Sequence, residues 1–178
     1  MGSGSGLAGG VRLNTTLTAD ERALYQREEV IRDLIDHAKR IAIVGLSADK
    51  QKASHFVAVY LLRHGYDVIP VNPRLSEVLG RRAYPDLRSV PGPIDVVDVF
   101  RPVAEIPAIT DDAIAVGAKA LWLQLRLIDL ASAERARQAG LKVVVDRCLK
   151  MEHGRYRGGL HWAGMNTEII SSRRAGMG

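Results

Sequence analysis

Five short apolar runs, spaced along the chain by stretches of helical period, restrict the fold more than any other feature of this sequence. They are residues 41–45 (IAIVG), 66–71 (YDVIPV), 94–100 (IDVVDVF), 119–124 (KALWLQ) and 141–145 (LKVVV). Most are rich in Val and Ile, and all are apolar at neighbouring rather than alternate positions, which is the pattern of a strand covered on both faces. Helical signals lie before and between them. In TADE, Thr18 stands three residues before Glu21 as a hydroxyl N-cap, and Leu24, Ile31, Leu34, Ile35 and Ala38 follow at helical spacing, predicting one helix over 18–39. Further helices are expected over 54–64, over 103–116 where Gly117 stops the turn, and over 131–138 ahead of Ala139-Gly140. The expected fold is α/β: a Rossmann-like, doubly wound, five-stranded, mainly parallel sheet with helices on both faces. Counted along the chain, the expected strand order is 3-2-1-4-5. Residues 11–17 and those after Met151 carry no clear pattern.

The length of 178 residues suits one domain, which would bury roughly 70% of its unfolded surface. Residues 1–17, opening in MGSGSGLAGG, are expected to be a flexible leader, 18–174 a single domain and 175–178 a tail. The one cysteine, Cys148, forms no internal disulfide, so a reducing, cytoplasmic setting is expected. Neither an 18-residue apolar stretch nor a signal-peptide pattern is present, which argues against a membrane partner. A net charge of +5 favours anionic partners. With aromatic residues at only 5% and no basic run interleaved with rings, nucleic acid is not the expected one. A small-molecule nucleotide is. Ile169 and Ile170, near Trp162, would let the tail pack on a neighbouring subunit of a homo-oligomer.

In open α/β sheets ligands lie beyond the carboxyl ends of the strands at the topological switch point, expected here between strands one and four. The first loop, Gly45-Leu46-Ser47 onward to Ser54, lacks the second and third glycines of a dinucleotide fingerprint. Ser47, Ser54, Lys50, Lys52 and the start of the following helix nevertheless offer phosphate donors; an ordinary polar loop with Ser54 as N-cap is the alternative. His55 either donates to that phosphate or is merely exposed. After the second strand, Asn72-Pro73-Arg74 stands where an NAD site carries an acid. Arg74 suits a phosphorylated ribose, as in NADP or coenzyme A, or is a solvated arginine after a turn.

The succession VGLS, HGYDVIPVNPR, EVLG, AYPDL, VDVFRP, GAKALWLQL, DRCLKMEH and GGLHWAGMNTEIISSRR resembles the small stand-alone CoA-binding family of bacterial proteins. That family is similar to the nucleotide-binding domain that opens the alpha subunit of succinyl-CoA synthetase and the NDP-forming acyl-CoA synthetases. The resemblance runs from Thr18 to Arg174. It implies coenzyme A, or an acyl-CoA, across the strand ends. Gly45, Leu46, Ser47, Lys52, Ser54 and His55 would lie near the phosphates, and Asn72, Pro73 and Arg74 near the adenosine. Phe100, Arg101 and Pro102 would follow the pantetheine, with Trp122 and Gln124 on the far side. Two positions depart from the family pattern: Arg126 replaces a glycine after WLQL, and Glu168 a small residue. If that glycine admits the ligand, the Arg126 side chain either narrows the thiol end or adds a phosphate contact.

Catalytic groups are sparse. Cys148 is a candidate for a mixed disulfide with the ligand thiol, or for a nucleophile with a pKa lowered by Arg147 and Lys150; a structural thiol is the alternative. His37, His55, His64, His153 and His161 have no zinc spacing, and Asp95, Asp98 and Asp146 form no close acid/base pair. No GxSxG elbow, P-loop or second ATP-binding domain accompanies them, which opposes hydrolase, NTPase and complete ligase readings. The expected activity is binding of coenzyme A or a short acyl-CoA. The alternatives are an NADP-dependent oxidoreductase or other nucleotide-using enzyme in the same crevice and a protein-interaction module with a relic site.

Overall fold

The structure, a computed structural model, describes residues 16–158. Residues 1–15 of the leader, the residues after Gly158 and the expectations on Trp162, His161, Glu168, Ile169 and Ile170 lie outside these residues, whereas Leu17, expected in the leader, is buried in the core.

All five apolar runs form strands of one parallel sheet: β1 (Arg40–Val44), β2 (Asp67–Val71), β5 (Val96–Val99), β6 (Ala120–Leu123) and β7 (Lys142–Val144). Both faces are covered. On one, Ile43, Val96 and Trp122 pack against α2 (Glu28–His37), α3 (Ala53–Arg63) and α6 (Leu149–Arg157) through Ile35, Leu61 and Leu149. On the other, Val44, Val97 and Leu121 meet α4 (Ile106–Ala115) and α5 (Leu130–Gln138) through Ile106 and Ala133. Successive strand residues thus bury on opposite sides, which is why the runs are apolar without alternation. Among the described residues no helix is long and apolar enough to cross a membrane.

The strand order corrects the expected one. The sheet runs β2-β1-β5-β6-β7, which is 2-1-3-4-5 when the five strands are counted along the chain. The cause lies in the connection after β2, which holds no α-helix. It makes a hairpin, β3 (Glu77–Val78) with β4 (Arg81–Arg82), and then returns along the outer edge of β2. There Tyr84 donates its N–H to Pro70 O at 2.9 Å and accepts from Asn72 N at 2.8 Å. With that edge occupied, the third long strand pairs with the free side of β1. The switch point therefore falls between β1 and β5, not between the first and fourth strands.

One helix was expected over 18–39 and two are present, α1 (Ala19–Tyr25) and α2. The capping box at Thr18 is formed in both directions, with Glu21 N to Thr18 Oγ1 at 3.2 Å and Thr18 N to Glu21 Oε2 at 2.6 Å. The break comes at Gln26, whose side-chain amide donates to Val145 O at 3.0 Å beyond the end of β7. Arg27 beside it is extended. A further helix, α6, follows β7 where the sequence offered no pattern.

Candidate functional site

Because β1 leads into α3 on one face of the sheet and β5 into α4 on the other, the chain parts at the β1–β5 boundary and leaves a crevice. Its volume is about 820 Å³, within the range of roughly 300–1,000 Å³ common for cofactor sites. Gly45, Ser47, Lys52 and Ser54 line it from the β1 loop, Asn72, Pro73 and Arg74 from the β2 loop, and Phe100 and Arg101 from the end of β5. Sequence reasoning missed the remaining wall, where Pro85, Asp86 and Leu87 come from the long connection and Ile109 and Asp112 from α4.

The β1 loop is built by its own polar side chains. Ser47 N donates to Ser54 Oγ at 3.1 Å, and Asp49 N to Ser47 Oγ at 3.0 Å. His55, buried, lies with Nδ1 2.9 Å from Ser47 O. A carbonyl only accepts, so Nδ1 carries the proton. Asn72 ties the second loop to the first, donating from Nδ2 to Leu46 O at 3.0 Å and accepting from Arg74 N on Oδ1 at 2.9 Å. Ser54 is not the N-cap of α3. That position is Lys52, which makes no side-chain cap. The first amides of a helix have no acceptor within it, so Ala53 and Ser54 present free N–H groups at the crevice wall.

Among the described residues the Lys52 ammonium and the Arg74 guanidinium have no partner. Four carboxylates share the crevice, and each is engaged. Asp86 caps the turn at Ser89 N (2.8 Å), Asp112 accepts from Arg88 (2.6 Å), Glu105 from Arg101 (2.7 and 2.8 Å) and Asp49 from Gln51 N (2.9 Å). An anion there meets two uncommitted cations and a helix N-terminus, beside Asp49 and Asp86, whose charges no cation among the described residues pairs, with Pro85, Leu87, Phe100 and Ile109 as apolar wall. That donor set fits a phosphate-bearing nucleotide with an apolar or aromatic part.

Other expected site residues do not line the crevice. Leu46 is wholly buried. His55 lies beneath the loop, and Pro102 opens a short 3-10 turn, Val103–Glu105. Trp122 is 0% exposed and spends its indole N–H on Arg147 O at 2.7 Å. Gln124 is buried and donates to Asp98 Oδ1 at 2.8 Å. Asp98 itself is fully enclosed on β5, and burial pushes its carboxyl up to about 7 against the opposing hydrogen bond from Gln124. Its other oxygen, Oδ2, has no partner among the described residues. Cys148 is half-buried, and burial raises its thiol pKa, opposite to the lowering expected from its basic neighbours. Arg147 does not help because it is committed to Gln26 Oε1 at 3.0 Å and to Glu152 at 3.6 Å.

The glycine expected where Arg126 stands is explained by conformation. Leu127 N closes a turn onto Gln124 O at 3.0 Å, and Arg126, third in that turn, has φ +66°. Its side chain is exposed and does not line the crevice. Left-handed backbone disfavours any residue with a Cβ. Arg126→Gly should therefore raise unfolding free energy by about 0.5–1 kcal/mol, read as a higher urea midpoint at unchanged slope. A lower midpoint would assign the side chain a contact it does not have here.

Comparison with known proteins agrees with this geometry. Residues 39–154 match the family described as CoA binding domain. The uncharacterized protein YneT of Bacillus subtilis is 35% identical over 123 residues, covering 69% of this chain and 91% of that one. A solved structure of a hypothetical protein from Pyrococcus horikoshii OT3 is 40% identical with a TM-score of 0.70, over 72% of this chain and 91% of that one. Acetate–CoA ligase (ADP-forming) I of Archaeoglobus fulgidus is 24% identical over 125 residues, which are 65% of this chain but only 18% of the ligase. A five-stranded parallel sheet with a crevice at its switch point, and a family match spanning every one of those strands, make this chain a member of the CoA binding domain family.

Proposed function

We propose that the protein binds coenzyme A or a short acyl-CoA in the β1–β5 crevice and holds it without turnover. The observation that carries this reading is the pair of uncommitted cations, Lys52 and Arg74, facing one crevice beside the uncapped start of α3. In the reading, Lys52 and the Ala53 and Ser54 amides hold the pyrophosphate, and Arg74 takes the ribose 3′-phosphate by charge-assisted hydrogen bonds. Asn72 and His55 act one step back, fixing the loops that carry those donors. Phe100 and Ile109 supply apolar wall. When bound, coenzyme A contributes the thiol; the residues named here bind and orient. A raised, half-buried Cys148 thiol favours a holding role over a covalent one. The single cysteine supports a cytoplasmic setting as part of the same reading.

Thermal unfolding with coenzyme A and with dephospho-coenzyme A at equal concentrations tests the reading. The full cofactor should raise Tm by about 3 °C more than the dephospho form, and Arg74→Ala should erase that difference. Equal shifts in the wild type would remove Arg74 from the ribose phosphate. No shift with either would end the coenzyme A reading.

A further inference from the structure

We infer that Glu105 is a stand-in anion: its carboxylate straps Arg101 across the crevice, and a phosphate-bearing ligand gains Arg101 by displacing it. The inference rests on the reading that an anionic nucleotide occupies the crevice, and adds a residue that sets selectivity within it.

Arg101 leaves the end of β5 and lies flat against Gly45. A Cβ placed on that glycine would come within 2.7 Å of Arg101 Cδ and 3.2 Å of Cγ. The stem thus bridges the two strand ends that part at the switch point. Its guanidinium is held in fork geometry by Glu105, with Nε to Oε2 at 2.8 Å and Nη2 to Oε1 at 2.7 Å. Both residues line the crevice. The pair is open to competition, because its side chains are 43% and 45% exposed, and an ion pair so placed is weak in water. A bidentate guanidinium is also the group best shaped to exchange one oxyanion for another.

The cations of the crevice therefore divide into two kinds. Lys52 and Arg74 meet any incoming anion, whereas Arg101 becomes available only to a ligand whose own oxyanion replaces the Glu105 carboxylate. A neutral group at that position gains nothing from Arg101 and leaves the strap closed. Glu105 lowers affinity and, in doing so, discriminates for charge.

Isothermal titration of coenzyme A into the full chain tests this with wild type, Glu105→Gln, Arg101→Met and the double variant, folding being checked by circular dichroism. Glu105→Gln should bind about fivefold tighter than wild type. In the Arg101→Met background the same change should alter affinity by less than about twofold, because there is no strap left to release. Equal or weaker binding by Glu105→Gln overturns the inference. So does an equal gain in both backgrounds, which would make Glu105 a general repulsive charge. Inorganic pyrophosphate, titrated in parallel, separates the two levels. If Glu105→Gln tightens pyrophosphate while no variant binds coenzyme A, the cofactor reading fails and the strap stands. If neither probe binds any variant, both fail.

Discussion

Asp98→Asn is expected to make the protein more stable at pH 8 by on the order of 4 kcal/mol relative to its effect at pH 4. Asp98 lies on β5, fully enclosed, with Gln124 on one oxygen and no partner among the described residues on the other. Burial raises its carboxyl from 3.8 to about 7. Below the lower value both folded and unfolded chains hold the proton, and the group adds no pH dependence. Between the two values the unfolded chain has released the proton while the folded one retains it, so stability falls as pH rises, by roughly 1.4 kcal/mol per unit. Above about pH 7 the full loss is in place. Asparagine cannot ionise and escapes it, although the amide nitrogen it places at Oδ2 is an unpaired buried donor costing about 1–3 kcal/mol at every pH. The test is therefore the change in the variant-minus-wild-type difference, from urea unfolding at pH 4, 6 and 8. A flat difference would show that Asp98 does not titrate in this range. A fold that tolerates such a group on a central strand carries an ionisation cost at neutral pH that a side chain without a titrating proton would avoid.

How far the fold could be read from the residues depends on where the deciding contacts lie. Strands buried on both faces must be apolar at consecutive positions, so all five runs were legible. Their order follows from a segment without periodicity, the helix-free connection that makes the β3–β4 hairpin and returns along the edge of β2 at Tyr84, while the third long strand pairs with the other side of β1. A signal was available in Pro70. A proline has no N–H for an interior ladder, and its presence in YDVIPV marks β2 as an edge strand, which the order 3-2-1-4-5 would have made interior. The division of the first helix depended on Gln26 reaching the end of β7, a contact 119 positions away in sequence.

At the site, topology located the loops but not the direction of each side chain. Polar residues at strand ends can serve a ligand or the backbone, and composition does not distinguish the two. Asn72 and His55 read as ligand donors and prove to be tied to Leu46 O and Ser47 O. Trp122 and Gln124 share with Asp98 the sheet face that packs against α6, away from the crevice lining. Pro85, Asp86 and Leu87 were missed because the connection carrying them has neither strand nor helix period. The pair Pro85-Asp86 was still a turn signal, and Asp86 does cap the short 3-10 helix Leu87–Ser89.

Gly45→Val should lower stability by roughly 2–3 kcal/mol and weaken coenzyme A binding by more than about tenfold. Two separate effects act at this position. Its φ of +91° is one that residues with a Cβ rarely adopt, least of all a β-branched one. A Cβ there would also stand 2.7 Å from Arg101 Cδ and 3.2 Å from Phe100 O. The arginine stem can swing away, but the carbonyl belongs to the backbone at the end of β5, whose N–H is bonded to Val44 O at 2.9 Å and yields only by opening the β1–β5 junction. Gly65 separates the two effects, because its φ is +87° and nothing lies within 4 Å of a Cβ built on it. Gly65→Val therefore carries the backbone strain without the crowding. It should lose less stability than Gly45→Val, and it should bind coenzyme A as the wild type does, since Gly65 lies away from the crevice. Equal losses of stability would reduce Gly45 to a strained turn residue. Undiminished binding by a folded Gly45→Val would mean that the ligand does not need the close approach of Arg101 to β1, and the crevice floor would have to be redrawn around Lys52 and Arg74 alone.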